Sequence, residues 1–144
     1  IWLEDESQRI GEVNVPIALF KFMRTCRVYF LDIPFEERLN YVVAGYGKFK
    51  KEDLISATVR IQKRLGGLEA KTAVNYLIEN DFHGAFGVLL HYYDRFYTKS
   101  MSNMREQPEQ IFKKIMLDSV DMAENAKKVL AIHQQDNPVS SASL

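Results

Sequence analysis

Hydrophobic positions in the first third of the chain mark two candidate strands, each followed by a candidate helix. Residues 1–3 form an apolar triplet that runs into the acids of residues 4–6, and residues 27–33 form a continuous β-branched and aromatic run. Both patterns are typical of strands buried in a sheet. Pro16 and Pro34 each precede apolar residues at helical spacing, and proline favours the first turn of a helix. The order strand, helix, strand, helix predicts an α/β fold with a parallel sheet covered by helices.

Beyond residue 50 the apolar residues recur at helical spacing only, so this part of the chain is predicted to be helical. Gly66 and Gly67 separate two helices there, because glycine commonly ends a helix. Asp81 begins a third helix, whose aromatic side chains are expected to face the core. The aromatic residues assigned to that face near the end of this helix are Tyr93, Phe96 and Tyr97.

The chain is expected to divide into three parts. Residues 1–99 are predicted to hold part of an α/β domain with a helical region, and residues 100–136 a helical tail. Within that tail, residues 112–130 predict one long amphipathic helix. Residues 137–144 are rich in serine and are predicted to be a disordered end. Since 47% of the 144 residues are apolar, the chain is long enough for one compact core.

The charge and cysteine content exclude several classes of protein. Nineteen basic and nineteen acidic residues cancel, so no bulk positive field draws the chain to nucleic acid, and a polyanion site must be local. Cys26 is the only cysteine, which excludes an internal disulfide and cannot alone supply a zinc site. We find no signal peptide and no membrane-spanning run, and we expect a reducing cytoplasm. Because the sequence begins without methionine, we expect it to have been cut from a longer chain or processed.

Two groups of charged residues are candidates for chemistry. Glu4 and Glu6 follow the first predicted strand, where carboxylates can hold a hydrated Mg²⁺ or orient a water molecule, although strands also end in solvated acids that have no function. Arg9 can reach an anion at the same edge. Lys63 and Arg64 stand at the end of a helix, where cations either contact phosphate or simply stabilise the helix dipole. No phosphate-binding G-x-x-x-x-G-K-[ST] loop occurs, so these residues alone indicate half of an α/β domain with a candidate anion site.

Five motifs occur in a fixed order along the chain. The most specific is an E-x-E-S-x-x-I-G element at residues 4–11. The other four are Val-Pro at 15–16, Leu-Asp-Ile-Pro-Phe-Glu-Glu-Arg at 31–38, Lys-Arg-Leu-Gly-Gly at 63–67 and Tyr-Tyr-Asp-Arg-Phe-Tyr at 92–97. In this order and spacing, the chain resembles the carboxy-terminal region of bacterial tRNA 2-selenouridine synthases. The resemblance covers residues 1–97.

Members of that family join an amino-terminal rhodanese-like domain, which carries an essential cysteine, to a P-loop domain. They attach a geranyl group from geranyl diphosphate to the sulfur of 2-thiouridine at the tRNA wobble position, and then replace the geranylated sulfur with selenium from selenophosphate. The resemblance implies that this chain is the carboxy-terminal half of the P-loop-type parallel-sheet domain, with two short strands followed by a mostly helical region. The resemblance also implies that the chain binds tRNA and holds no cofactor of its own. Because the phosphate loop and the rhodanese cysteine lie outside it, the chain is expected to be inactive alone.

The resemblance also implies where substrates bind. Glu6 is expected to be catalytic at the sheet edge, and no metal ligand is assigned. Arginine suits the phosphate contacts because it can bind phosphate in a bidentate manner. The family pattern further implies a short return strand after Tyr97, where the periodicity of this sequence predicts a helix. The residues expected to contact substrate anions or tRNA are Glu4, Ser7, Arg9, Arg38, Lys63 and Arg64.

Two other functions fit parts of the pattern. Nucleoside- and shikimate-type kinases also place a strand, an acidic strand end and an Asp-x-Pro sequence, here residues 32–34, before a helix. A rhodanese-like domain upstream would favour the transferase over the kinase. The non-enzymatic alternative is a helical module that forms a homodimer through residues 112–130.

Overall fold

Eight helices and four short strands make up the regular structure of the residues described by the computed structural model, which are 1–101, 105–106 and 108–137. The predicted α/β class is confirmed. Of the disordered end predicted for residues 137–144, all but Asn137 lies outside the described residues. The elements are β1 (Arg9–Ile10), β2 (Val13–Asn14), α1 (Ile17–Met23), β3 (Val28–Asp32), α2 (Phe35–Tyr46), α3 (Lys51–Arg60), α4 (Gln62–Leu65), α5 (Gly67–Ile78), α6 (Phe82–Met101), α7 (Pro108–Ile111), β4 (Phe112–Met116) and α8 (Met122–Asp136).

The larger of the two sheets pairs β3 with β4 in parallel. In its register Val28 lies opposite Phe112, and Asp32 lies opposite Met116. The strand predicted for residues 27–33 is therefore confirmed as β3. Helices α2 to α7 lie between the two strands in sequence, so they form the crossover that parallel pairing requires.

The strand predicted for residues 1–3 is wrong. These residues have no regular secondary structure, and the side chains of Ile1, Trp2 and Leu3 are exposed. A strand is stabilised by hydrogen bonds to a neighbouring strand, and the described residues place none beside this triplet. The first regular structure is instead the hairpin of β1 and β2, whose turn contains Gly11 at a φ of 60°, in the left-handed region that glycine tolerates.

The single helix predicted for residues 112–130 is also wrong. Residues Phe112–Met116 form strand β4, in which Ile115 is buried, and the helix α8 begins only at Met122. Its first turn is capped by the Asp121 side chain, which accepts a hydrogen bond from the Glu124 backbone N–H at 3.0 Å. Pairing with β3 outweighs a weak helical periodicity here, because β4 completes the parallel sheet. The return strand after Tyr97 that the family pattern implies is therefore present.

The helical region packs α2, α3, α5 and α6 around one apolar cluster. The helix starts expected after Pro16, Pro34 and Asp81 are confirmed, and the Asp81 carboxylate accepts a hydrogen bond from the Gly84 backbone N–H at 2.8 Å. The predicted break at Gly66 and Gly67 is likewise present, between α4 and α5. The buried members of the cluster are Leu39, Leu54, Leu77, Ala85 and Phe86.

Gly66 and Gly67 differ sharply in the space available for a side chain. Gly66 has a φ of 107°, and an added Cβ would contact the Glu69 carboxylate, whereas Gly67 has open space at that position. We expect Gly66→Ala to lower the free energy of unfolding by about 1–3 kcal/mol, because its backbone conformation is essentially restricted to glycine. Gly67→Ala is the matched control and should change it by less than about 0.5 kcal/mol. Urea denaturation of both variants measures the difference, and equal effects would contradict the explanation.

Candidate functional site: an apolar cavity beside the acidic segment

An open cavity of about 640 Å³ lies between the amino-terminal segment, α1, β3 and α8. Its walls are predominantly apolar. Glu4, Arg27 and His133 supply most of its polar and charged side chains. Cys26, the free thiol of the chain, also lines it. The apolar and aromatic side chains that form its walls are Ile1, Trp2, Leu3, Leu19, Phe22, Met23, Val28, Tyr29, Leu31 and Val129.

One side of the cavity is held by a polar cluster around Asp136 of α8. The Asp136 carboxylate accepts hydrogen bonds from the Tyr29 hydroxyl and the Arg27 guanidinium, both at 3.1 Å, and it forms an ion pair with Lys113. The hydrogen bond from Lys113 is the largest of the effects that lower the pKa of Asp136, and those from Tyr29 and Arg27 add to it. The resulting carboxylate ties α8 to both strands of the sheet.

Aromatic contacts extend this cluster to the amino terminus. The Trp2 ring packs edge-on against His133, with ring centroids 4.8 Å apart, and lies 5.5 Å from the Tyr29 ring. The Tyr29 hydroxyl lies 3.2 Å from Nδ1 of His133. Residue 2 is thereby positioned over β3 and α8, although it belongs to no strand.

The acidic motif lies at the edge of this cavity. Glu4 lines it, and the Glu6 carboxylate accepts a hydrogen bond from the Ser7 backbone N–H at 3.2 Å. Burial raises the pKa of the Tyr97 phenol, and the charges of Glu6 and Glu4 raise it further. The motif therefore also lies close to the carboxy-terminal half of α6.

Ser7 and Arg9 use their polar groups in local contacts. The Ser7 hydroxyl donates to the Arg9 carbonyl at 2.8 Å, and Nε of Arg9 donates to the Gly11 carbonyl at 3.1 Å. Both bonds stabilise the entry to the hairpin. The structure thus brings Glu4 to the cavity and places Glu6, Ser7 and Arg9 next along the chain, and their predicted substrate contacts stay predictions.

The other predicted anion contacts lie elsewhere. Arg38 forms a bidentate ion pair with Asp94, at 2.6 and 2.9 Å, and its Nε donates to the Ile33 carbonyl at 3.0 Å. The hydrogen bond to Asp94 is the main effect that raises the pKa of Arg38. Lys63 and Arg64 are exposed on α4, and neither they nor Arg38 lines the cavity. Arg38 joins α2 to α6 in this structure, and a phosphate role for the three cations stays a prediction.

The aromatic end of α6 does not face the core as predicted. Tyr93 and Phe96 are each 47% exposed and Tyr97 is 41% exposed, whereas Tyr92 is half-buried. The helix is 20 residues long, and its buried core residues, Ala85 and Phe86, lie near its start. Helical spacing identifies a common face but not how far along the helix its partners extend.

Sequence reasoning did not predict that Arg24 and Arg105 both contact the Asp5 carboxylate. Residues so far apart in sequence leave no spacing pattern by which their contact can be predicted. A second apolar cavity of about 490 Å³ was missed as well. It lies among α2, α3, α5 and α6, with Asp53 as its one acidic lining residue.

Residues 1–101, 105–106 and 108–137 contain no group of three or more His, Cys, Asp or Glu side chains placed to hold a metal ion. Within the same ranges, none of the helices combines the length and the apolar character needed to span a membrane.

Comparison with known proteins places this sequence in a family. Residues 1–128 match the family model described as the tRNA 2-selenouridine synthase AAA domain. The chain belongs to the tRNA 2-selenouridine synthase family. This confirms the resemblance found in the motifs and extends it past residue 97, through β4 and into α8.

Individual relatives agree with the family match. A tRNA 2-selenouridine synthase of Hydrogenovibrio crunogenus is 39% identical over 75 aligned positions, which cover 45% of this chain and 21% of the relative. The synthases of Pseudomonas syringae pv. tomato and Pseudomonas savastanoi pv. phaseolicola are 32% and 34% identical over 83 positions, covering 45% of this chain and 22% of each relative. The matched region thus spans about a fifth of the length of these curated relatives. No solved structure matches the chain significantly.

Proposed function

We propose that this chain is part of a cytoplasmic tRNA-modifying transferase. The intact enzyme attaches a geranyl group to the sulfur of wobble 2-thiouridine and then exchanges the geranylated sulfur for selenium from selenophosphate. The chain contributes the substrate-binding cavity and contacts to tRNA, while the rhodanese-like and phosphate-loop regions complete the site. Membership of the tRNA 2-selenouridine synthase family favours this function over the small-molecule kinase alternative.

The observation that carries the proposal is the apolar cavity beside the acidic motif. Its volume of about 640 Å³ falls within the range of about 300–1,000 Å³ that is usual for small-molecule sites. An isoprenoid chain is wholly apolar, and it gains about 25 cal/mol for each Å² that it removes from water. The walls formed by Trp2, Leu19 and Phe22 supply the apolar contacts that such a chain needs.

Positive charges at the edge of the cavity suit the diphosphate, which is the leaving group of geranyl diphosphate. Arg27 lines the cavity with a half-exposed side chain, and Lys113 contacts the same carboxylate of Asp136. Arginine binds phosphate oxygens in bidentate geometry, so Arg27 can turn from Asp136 to the diphosphate of the substrate. The isoprenoid chain would then point into the cavity and its first carbon toward the edge.

The chemistry of the first step needs a proton acceptor. When the sulfur of 2-thiouridine forms a bond to the first carbon of geranyl diphosphate, the carbon–oxygen bond to diphosphate breaks and the pyrimidine loses its N3 proton. A carboxylate next to the cavity is a suitable acceptor. Glu6 is our proposed residue for this role, with Glu4 lining the cavity beside it.

Contact with tRNA is tested by binding. We expect Arg9→Ala and Arg64→Ala, each introduced into a full-length protein that contains this chain, to weaken binding of tRNA with a 2-thiouridine wobble base by about threefold to tenfold. Each substitution removes one exposed cation that can contact a phosphate. Lys48→Ala, which removes an exposed cation outside the predicted site, is the control and should leave binding unchanged.

The same titration separates the alternatives. If both arginine variants bind tRNA like the unmodified protein, the two residues have only structural roles. If the full-length protein binds no tRNA and forms no geranylated nucleoside, the proposed function is wrong and the kinase alternative regains support. The homodimer alternative assumed one helical face over residues 112–130, which form a strand and part of a helix instead, and self-association itself stays a prediction.

A further inference from the structure

Two buried arginines converge on one carboxylate oxygen. Arg24, at the carboxy-terminal cap of α1, and Arg105, which precedes α7, lie 2.9 and 2.6 Å from the same oxygen, Oδ1 of Asp5. The side chains of Arg24 and Arg105 are 6% and 0% exposed, whereas that of Asp5 is 31% exposed. We call Arg24 and Arg105 the arginine fork. Its two cations are covered by protein, while the anion between them borders solvent.

The fork carries more positive charge than Asp5 can neutralise. Two guanidinium groups face a single carboxylate, and Nε of each arginine is buried without a hydrogen-bond partner among the described residues. Buried charges and unpaired donors are costly unless an anion compensates them. Burial lowers the pKa of the Arg24 guanidinium, and the nearby charge of Arg105 lowers it further, while Asp5 opposes both effects. The fork therefore has the electrostatics of a site for a multiply charged anion.

Both arginines are fixed in place by contacts other than those to Asp5. The Arg24 guanidinium lies 4.6 Å from the centroid of the Phe20 ring, and the Arg105 guanidinium lies 4.9 Å from that of Phe112. Arg105 also donates to the Met101 carbonyl at 3.0 Å. These contacts hold the fork open toward the position of the Asp5 carboxylate, whichever anion occupies it.

Asp5, by contrast, lies on a segment without regular secondary structure, which Trp2 attaches to the fold through ring contacts with Tyr29 and His133. Residues 1–6 form no helix or strand, and the side chains of Ile1, Trp2 and Leu3 are exposed. An anion that replaces the carboxylate must therefore displace a short irregular segment rather than an element of the fold.

We propose that Arg24 and Arg105 bind a small phosphoryl anion, phosphate or diphosphate, and that Asp5 occupies this site when the ligand is absent. Such an anion has more charge than a carboxylate and enough oxygens to contact both guanidinium groups. A polymer backbone is disfavoured because the fork is covered. Asp5 also lines the apolar cavity, and diphosphate is the group that leaves there, so this inference deepens the proposed function and rests on it. Failure of pyrophosphate to bind would remove the fork as the anion site, whereas failure of tRNA binding and geranylation would remove the proposed function.

Isothermal titration of the chain with inorganic pyrophosphate and with phosphate tests the proposal. Asp5→Asn keeps the size of the side chain and removes the competing charge, so we expect pyrophosphate to bind about tenfold more tightly. Arg24→Lys and Arg105→Lys keep the charge but remove the fork geometry, and each should weaken binding by about tenfold or more. Glu12→Gln, at the exposed turn of the hairpin, is the matched control for loss of one negative charge.

Each outcome of the titration supports or overturns the proposed anion site. Tighter pyrophosphate binding in Asp5→Asn but not in Glu12→Gln supports the site. Equal tightening in both variants, or none in Asp5→Asn, overturns it. If Asp5→Asn unfolds, pyrophosphate must restore its folding by circular dichroism, and failure to do so means that Asp5 is only a structural ion-pair partner. If Asp5→Asn binds a short RNA oligonucleotide more tightly but does not bind pyrophosphate more tightly, the assignment to a small anion is also overturned.

Discussion

Phe22→Asp is expected to lower the rate of tRNA geranylation by about a hundredfold in a full-length enzyme that contains this chain. The substitution places a carboxylate in the wall of the apolar cavity, where an isoprenoid chain would have to desolvate it. A penalty of about 2.7 kcal/mol, which is modest for such a group, corresponds to a hundredfold in rate. Because the Phe22 side chain is largely exposed, stability should change little. Mass spectrometry of nucleosides from digested tRNA measures the geranylated product.

Leu68→Asp is the control for this experiment. It also places a carboxylate at an exposed apolar position, but Leu68 lies on α5 and lines neither cavity. Its rate should stay within about twofold of the unmodified enzyme, since surface substitutions rarely have larger effects. A comparable loss in both variants would show that the cavity has no special role. If Phe22→Asp keeps full activity, the isoprenoid does not bind in this cavity, and the family assignment is unaffected.

Leu77→Ala is expected to have the largest effect on stability, lowering the free energy of unfolding by about 3 kcal/mol. Leu77 is 1% exposed and lies at the centre of the cluster that joins α2, α3, α5 and α6. Removing its side chain beyond Cβ loses apolar contacts and enlarges a space that already borders the second cavity. Denaturation by guanidinium chloride, followed by circular dichroism, measures the change.

Leu68→Ala gives a matched comparison within the same helix. Leu68 is 76% exposed, so the same chemical change should cost no more than about 0.5 kcal/mol. If the two variants were equally destabilised, the loss would reflect helix propensity rather than packing. If Leu77→Ala is as stable as the unmodified chain, the core lies elsewhere.

The elements that could be predicted from sequence are those whose signals are local. The run at residues 27–33 is apolar throughout and forms β3, and proline or aspartate at positions 16, 34 and 81 precedes a helix as expected. Strand β4 lacks such a signal. It contains Lys113 and Lys114, and only its pairing with β3, far away in sequence, makes Phe112–Met116 a strand.

The candidate site was predictable only in part. The acidic motif was found, and Glu4 does line the cavity. The cavity itself depends on Trp2, α1 and α8 meeting around β3, which no local pattern reveals. The contact of Asp5 with Arg105 depends in the same way on tertiary structure, since these residues are 100 positions apart in the sequence. Side chains can be sorted by type from the sequence, but long-range contacts decide which of them meet.

The parallel pairing of β3 with β4 has a consequence for the order in which the chain folds. Val28 finds its partner Phe112 only after the whole set of helices between them has been made. Contacts among α2, α3, α5 and α6 are closer in sequence, and the entropy lost on closing a loop grows with its length. The helices can therefore assemble first during synthesis, and the sheet, the polar cluster around Asp136 and the apolar cavity form last.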